Sequence, residues 1–270
     1  MEFYLSTIAD VDFEVVGETE EITYKKRTAP VAQQYGIGLE LTEFCISENL
    51  DGKIHSILPH FEYNRKSVQN AILHAPYNEL FPHAIDSKAA HLAWDRYDMA
   101  WNICLHYDIH KIVVHANYVQ CLYYPEWFKA RNIEFWNDFL SEHKEDITIC
   151  LENVMENEPT LITDIIKDVN NPRLRMCLDI GHANLSTVPP EKWIMECSEY
   201  IDHYHIHNNN GPASGERPYL GDKHQALSNG NIDMKAILKL AEKLTPNASA
   251  SVESYEIVES AKWLRENGFI

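Results

Sequence analysis

Histidine and carboxylate side chains recur at the ends of short apolar segments of this sequence. Six positions show the pattern, each written with the residue before it: Leu73-His74, Val114-His115, Leu151-Glu152, Leu178-Asp179, Ile206-His207 and Val252-Glu253. A carboxylate that directly follows an apolar run is costly to bury without a partner. Imidazole and carboxylate together suit zinc, manganese or iron, whereas calcium sites are built mainly from oxygen atoms. We therefore expect a divalent-metal site.

Further candidates lie close to these positions. His182 follows Asp179 by three residues, which places both side chains at the top of one segment and its following turn. Asp222 and His224 lie in a Gly-rich stretch, and as alternate residues of an extended segment they would face the same way. A solvated polar turn explains the Asp222-Lys223-His224 segment equally well when it is taken alone.

Two histidines compete for one ligand position. His205 and His207 are two residues apart, so in a strand both face the same side and differ only in height. We prefer His207 as the ligand because it stands at the end of its segment. We expect His205 to lie one layer deeper, in the core or behind the ligands.

The elements that would position these side chains alternate along the chain. Eight apolar segments, several of them β-branched, are typical of buried parallel strands: 3–9, 37–42, 71–75, 111–116, 147–154, 174–180, 201–207 and 250–254. Helical patterns cover 87–107, 127–143, 160–169, 190–198, 233–244 and 256–267. Eight strands alternating with helices predict one α/β domain over residues 1–270, a single (β/α)8 TIM barrel. Its strand ends converge on one mouth, so the metal site should lie at the C-terminal face of the strands.

Two stretches do not fit this alternation. Residues 10–27 are acidic and are compatible with a loop, an irregular helix or a small lid, and we assign no role to residues 10–35. Residues 208–231 contain several Gly and Pro residues, which predict one long loop. Loops of that length in a compact domain are usually functional.

Composition narrows the class of partner. The 41 acidic and 23 basic residues give a net charge of −18, which disfavours nucleic acid unless cations gather locally. The residues from Met1 to Leu5 do not form a basic region followed by an apolar stretch, and no apolar segment has the length of a membrane span, so we expect a cytoplasmic protein without a membrane partner. The six cysteines are scattered without a CxxC pair, and we expect reduced, mostly buried thiols.

These motifs resemble the xylose-isomerase-like TIM-barrel superfamily, which includes endonuclease IV, sugar and sugar-phosphate isomerases and epimerases, and cobamide-remodelling phosphodiesterases. The resemblance spans about residues 37 to 255. It rests on His74-Ala75-Pro76-Tyr77, Val114-His115, Leu151-Glu152-Asn153, Cys177-Leu178-Asp179-Ile180-Gly181-His182, His207-Asn208, Asp222-Lys223-His224 and Glu253.

The resemblance implies two alternative sets of ligands. Isomerases of the superfamily bind one metal through four residues, whose counterparts are Glu152, Asp179, His207 and Glu253. Endonuclease IV and its relatives use nine ligands for three ions. By resemblance, His74 and His115 would hold the first ion, with Glu152 bridging to the second; Asp179, His207 and Glu253 would complete the second; His182, Asp222 and His224 would hold the third.

Because all nine positions are filled, the sequence favours a metal-dependent hydrolase, a zinc phosphodiesterase or phosphoesterase that binds up to three ions and acts on a small phosphate ester. The alternative is a sugar or sugar-phosphate isomerase or epimerase with one metal, Mn or Fe also being possible, and Glu152 and Glu253 as acid and base. An AP endonuclease acting on DNA ranks third, since the loops are acidic. The substrate-binding arginine of some epimerases is replaced by Ala213; Arg217 and Lys223 are candidates for holding phosphate.

Overall fold

Eight parallel strands close into a barrel in the computed structural model, which describes residues 1–16, 19–214 and 218–270. In chain order the strands are β1 (Glu2–Ser6), β2 (Val11–Val16), β3 (Thr19–Tyr24), β4 (Gly38–Leu41), β5 (Ala71–His74), β6 (Lys111–His115), β7 (Thr148–Glu152), β8 (Leu174–Asp179), β9 (Ile201–Ile206) and β10 (Ser249–Val252). The barrel runs from β4 through β10 in sequence, and β1 closes it between β10 and β4. Strands β2 and β3 form a separate antiparallel hairpin.

Helices connect consecutive barrel strands and surround them. They are α1 (Thr28–Tyr35), α2 (Ile54–Ser67), α3 (Ser87–Tyr107), α4 (Pro125–Glu142), α5 (Thr160–Val169), α6 (Ile180–Leu185), α7 (Pro190–Cys197), α8 (Met234–Leu244) and α9 (Ile257–Glu266). This architecture confirms the predicted single TIM barrel, and each predicted strand and helix overlaps an observed one.

The main apolar core lies between the strands and the surrounding helices. Trp101, Trp136 and Trp193 are among its largest fully buried side chains. A smaller apolar layer fills part of the barrel interior, where Tyr4, Ile72, Val113, Cys150 and Cys177 pack together. Packing on both faces of the strands makes their ends a rigid platform for a site.

The first third of the chain holds structure that the sequence pattern did not lead us to expect. The acidic stretch from residue 10 contains the β2–β3 hairpin, although its alternating Val-Asp-Phe-Glu-Val pattern was a strand signal. Helix α1 precedes β4 and helix α2 comes after it, and neither was predicted from the sequence. Pro59 lies inside α2 and weakens the helical pattern of that segment.

Two other expectations concern thiols and membranes. Cys104, Cys150, Cys177 and Cys197 are buried, and all six cysteines are free. Among the described residues, no helix has the length and apolar character to cross a bilayer.

Candidate metal centre

All nine residues predicted as ligands lie at the C-terminal face of the barrel. Four of them are the last residues of strands β5 to β8: His74, His115, Glu152 and Asp179, respectively. Glu253 directly follows β10. The remaining four are His182 in α6, His207 directly after β9, and Asp222 and His224 in the long loop before α8. Three neighbouring groups of closely spaced ligand atoms together contain all nine, and a further such group joins Glu40 to His74, His205 and Glu253.

The first group, which we call the histidine pair, is His74 and His115 with the carboxylate of Glu152. The Nε2 atoms of the two histidines lie 3.3 and 3.2 Å from Oε2 of Glu152. Tyr77 stacks on the His115 ring with centroids 4.3 Å apart, which fixes the plane of that imidazole.

The second, the central group, consists of Glu152, Asp179, His205 and Glu253. Nδ1 of His205 lies 3.1 Å from Oε1 of Glu152, 3.6 Å from Oε2 of Glu253 and 3.9 Å from Oδ2 of Asp179. Three carboxylates therefore surround one imidazole nitrogen.

The third, the loop group, consists of His182, His207, Asp222 and His224. The carboxylate of Asp222 lies 3.2 Å from Nε2 of His182, 3.3 Å from Nε2 of His224 and 3.6 Å from Nε2 of His207. Three imidazoles and one carboxylate around one point match the ligand types and number of a tetrahedral zinc site.

The structure distributes the two competing histidines differently from our preference. His205 forms a group with Glu152, Asp179 and Glu253, whereas His207 forms one with His182, Asp222 and His224. The reason is register: His205 pairs with Asp179 of β8 and with Ser251 of β10, so its side chain enters the barrel at their level. His207, beyond the strand end, reaches the loop group and lies 3.3 Å from Oδ1 of Asp179.

Several buried atoms in these groups have no hydrogen-bond partner among the described residues. They are both carboxylate oxygens of Glu152, Oδ2 of Asp179, Nδ1 of His205, both ring nitrogens of His207 and Oδ1 of Asp222. Buried polar atoms are normally satisfied, and leaving them unpaired is costly. Unpaired oxygen and nitrogen atoms facing one another fit a place where cations would bind.

Hydrogen bonds to backbone carbonyls orient three of the histidines. Nδ1 of His74 lies 2.8 Å from the carbonyl of Ala75, Nδ1 of His182 lies 2.8 Å from that of Asn153, and Nδ1 of His224 lies 2.7 Å from that of Glu253. These contacts place a proton on Nδ1, so that Nε2, which faces the neighbouring carboxylate, is the nitrogen left to bind a cation, the usual support for a metal-binding imidazole.

Two histidines of the loop group, His224 and His182, have raised pKa values because they lie beside carboxylates. Burial disfavours the charged form of His224, but a hydrogen bond to Asp222 and its negative charge raise the pKa of His224 to about 9. Burial acts in the same way on His182, whose pKa is nevertheless raised well above its usual value by the charges of Asp179 and Asp222. A cation that binds to this group must displace such protons.

In the central group, the pKa values of the two glutamates are shifted in different directions. Burial raises the pKa of Glu253, while the pKa of Glu152 is held well below its ordinary range because the charges of His205 and His115 outweigh the effect of burial. Two carboxylates that face the same cavity therefore have pKa values displaced in opposite directions.

A cavity of about 240 Å³ opens over these groups and is lined by His74, His115, Glu152, Asp222 and Glu253, among others. A second cavity of about 420 Å³ adjoins it, and Val154 and His182 line both. Neither cavity is lined by a Lys or Arg within the described ranges.

Of the two basic candidates for substrate binding, the structure describes only Lys223. Lys223 is exposed and lines neither of these cavities. Arg217 lies outside the residues that the structure describes.

Sequence reasoning did not single out Glu40, which lies inside the barrel beside His205, with Oε1 3.0 Å from its Nε2 atom. The signal was available, because Glu40 stands between Leu39 and Leu41 in an apolar run. A carboxylate beside apolar residues is also the feature that led us to predict Glu152 as a ligand.

Residues 62–267 match the family model described as xylose isomerase-like TIM barrel. The chain belongs to this family. Among curated proteins it is 27% identical to an uncharacterised protein of Methanocaldococcus jannaschii over 203 residues, which are 71% of this chain and 66% of that protein. The match thus spans just under two thirds of that relative's length.

Solved structures share the fold over nearly the whole chain. A D-tagatose 3-epimerase-like protein has a TM-score of 0.74 at 22% identity, covering 99% of this chain and 97% of its own. A D-allulose 3-epimerase from Methylomonas sp., in complex with D-allulose, has a TM-score of 0.66 at 14% identity, covering 98% and 88%. At these identities the likeness shows the fold alone, and the reaction must be argued from the site.

Proposed function

We propose that the protein is a divalent-metal-dependent isomerase or epimerase that acts on a small sugar. The observation that carries the proposal is the central group of Glu152, Asp179, His205 and Glu253, both of whose glutamates line a cavity of about 240 Å³. We take this reaction class, in place of the hydrolysis that the ligand count had favoured, by analogy with the xylose isomerase-like family and with the epimerase and epimerase-like structures that share the fold.

The four residues of the central group would hold the ion, which when bound would polarise the carbonyl and hydroxyl oxygens of a keto-sugar. Glu152 and Glu253 come from opposite ends of a four-strand arc, with β8 and β9 between β7 and β10. They therefore approach the cavity from different directions. One carboxylate would remove the proton from the carbon beside the carbonyl and the other would donate a proton, inverting that carbon if it acts from the opposite face.

The lining of the cavity favours an uncharged substrate. The described lining residues include no Lys or Arg, the side chains that usually neutralise a phosphate group. Histidine, threonine and tyrosine side chains, such as His115, Thr42 and Tyr77, offer hydrogen bonds for hydroxyl groups. A free sugar fits this lining better than a sugar phosphate.

Hydrolysis of a small phosphate ester is the second candidate. The observation that favours it is that Glu152 belongs both to the central group and to the histidine pair, as a carboxylate shared by two adjacent ions would. The loop group adds a third potential ion, and all three could be zinc. DNA remains the least favoured substrate because of the net charge of −18.

The test combines metal content with two assays. Protein purified without chelator would be analysed for bound metals, then loaded with Mn²⁺, Co²⁺ or Zn²⁺. Ketohexoses, including D-tagatose and D-allulose, would be incubated with it in D2O, and NMR would follow deuterium entering the carbon beside the carbonyl. We expect exchange and a new epimer or isomer. Hydrolysis of bis(p-nitrophenyl) phosphate by the loaded protein, without exchange in any sugar, would overturn the proposal in favour of the second candidate.

A further inference from the structure

Glu40 is a buried carboxylate that no step of the proposed reaction uses. It lies on β4, its side chain is fully buried, and it faces the interior of the barrel, where His205 and His203 are its partners. Placing a charge there is costly unless it is paired and hydrogen-bonded. The pairing partners therefore indicate what the residue is for.

Both oxygens of Glu40 are engaged by histidines of β9. Oε1 lies 3.0 Å from Nε2 of His205, and Oε2 lies 3.1 Å from Nε2 of His203. His203 is held in turn by Ser249 and Ser251 of β10, whose hydroxyl oxygens lie 2.7 Å from its Nδ1 and 2.9 Å from its Nε2. Glu40 is thus anchored on one side and holds His205 on the other.

This contact decides which nitrogen of His205 is available as a ligand. A carboxylate can only accept a hydrogen bond, so Nε2 of His205 carries the proton and donates to Glu40. In the neutral imidazole that a metal ion requires, the lone pair is then on Nδ1, which has no hydrogen-bond partner among the described residues and faces Glu152, Glu253 and Asp179. The other candidate ligands His74, His182 and His224 are oriented the opposite way, with Nδ1 on a backbone carbonyl.

We propose that Glu40 is the positioning residue of the metal centre: it fixes the tautomer and ring orientation of His205 so that Nδ1 binds the ion of the central group. Partners of this kind raise the basicity of the ligand as well as orienting it, and their loss typically weakens metal binding about 10- to 100-fold. The inference rests on the proposed function only in taking the central group as the metal site; it does not depend on which substrate is converted.

The first measurement uses Glu40→Gln, with Glu43→Gln as the matched control. Glu43 is equally buried and lies three residues on, but its carboxylate accepts a hydrogen bond from Asn64. Affinity for Zn²⁺ would be measured by competition with a chromophoric chelator, without any substrate, and folding checked by circular dichroism. We expect Glu40→Gln to weaken binding of one ion about 10- to 100-fold and Glu43→Gln to leave it unchanged.

Affinity results of two kinds would overturn the inference. One is equal affinity in wild type and Glu40→Gln, or equal weakening in both variants, which would reduce Glu40 to a general structural role. The other is complete loss of one ion in Glu40→Gln, matching a Glu152→Gln variant, which would make Glu40 a ligand itself.

The second measurement needs no variant. Nitrogen-15 NMR of the wild-type protein, before and after addition of Zn²⁺, should show His205 with its proton on Nε2 and the shift of a metal-bound Nδ1. Coordination through Nε2 would overturn the inference. Failure of the sugar assays, with this signature present, would instead count against the proposed function alone.

Discussion

The imidazole rings of His207 and His224 stack with their centroids 3.9 Å apart and their planes at 11°. One ring follows the end of β9 and the other belongs to the long loop, so the stack ties that loop to the barrel. Both Nε2 atoms lie close to the carboxylate of Asp222, at 3.6 and 3.3 Å. With His182 the group offers four ligands, the number that fills a structural zinc site without leaving a position for substrate.

We therefore predict that the double change Asp222→Asn with His224→Asn removes one bound ion without abolishing sugar exchange, because the central group keeps all four of its residues. Metal analysis and the D2O assay would be made on the same preparation. The matched control is His91→Asn with Asp95→Asn, an exposed His–Asp pair on α3 whose Nε2 and Oδ1 atoms lie 3.6 Å apart. Complete loss of exchange in the first double variant would show that the loop group takes part in the reaction.

Substitution of His205, in β9, and of His207, directly after β9, should have different effects on sugar exchange and metal binding. His205→Asn is expected to lower metal-dependent exchange by more than about 100-fold, since it removes a ligand and not only a supporting contact. His207→Asn should instead weaken the ion of the loop group and leave most exchange activity. Equal losses in both variants, measured as kcat/KM with excess metal, would contradict this division of the two residues.

The two glutamates that face the cavity should each be indispensable for proton transfer. Glu152→Gln and Glu253→Gln are expected to lower kcat by about 10²- to 10⁴-fold, because an amide cannot exchange a proton as a carboxylate does. Glu43→Gln serves as the buried-glutamate control. Deuterium exchange that persists at the wild-type rate in either cavity variant would exclude that residue as acid or base.

Gly181 should be required by the packing of His207. A Cβ atom at this position would lie 1.9 Å from Cε1 of His207, so the imidazole would have to move. Gly181→Ala is expected to lower the free energy of unfolding by about 1–3 kcal/mol and to weaken the ion of the loop group. Gly52→Ala, where a Cβ meets no described atom within 4 Å, is the control. Unchanged metal affinity in Gly181→Ala would place His207 outside the ligand set.

Asp10 should stabilise the start of α1 in a pH-dependent way. Its Oδ1 atom accepts hydrogen bonds from the backbone of Arg27 and Thr28, at 3.0 and 2.8 Å, and Oδ2 accepts one from Asn64. Asp10→Asn is therefore expected to lower the free energy of unfolding by about 1–3 kcal/mol at neutral pH, as measured by urea denaturation.

The pH dependence of that effect follows from the pKa of Asp10. Burial would raise it, but hydrogen bonds from His60 and Thr28 outweigh burial and lower the pKa below its usual value. A lowered folded pKa gives stability that is present above the unfolded value of about 4 and is lost as pH falls through the folded value. The difference between wild type and Asp10→Asn should thus narrow as the pH falls from about 6 to about 3. A constant difference would mean that the carboxylate charge is not what stabilises α1.

The sequence by itself determined the barrel and the region of the site. Apolar segments of strand length, separated by helical patterns, are local features, and a parallel barrel is their usual arrangement. The sequence also shows that Glu152, Asp179 and Glu253 stand where such segments end. Because the strands are parallel and close into a barrel, these ends meet at one mouth.

The tertiary structure decided which side chains share a group. Grouping His205 with Glu152 and Glu253, and placing His207 between Asp179 and Asp222, depends on the register of β9 against β8 and on the path of the loop, both set by contacts far apart in sequence. The role inferred for Glu40 depends on the barrel closing, because β4 and β9 are not neighbours in the sheet and meet only across its interior. The spacing of residues in the sequence predicts neither the grouping of His205 and His207 nor the contact of Glu40 with His205. A side chain's partners across a barrel are fixed by barrel closure and strand register.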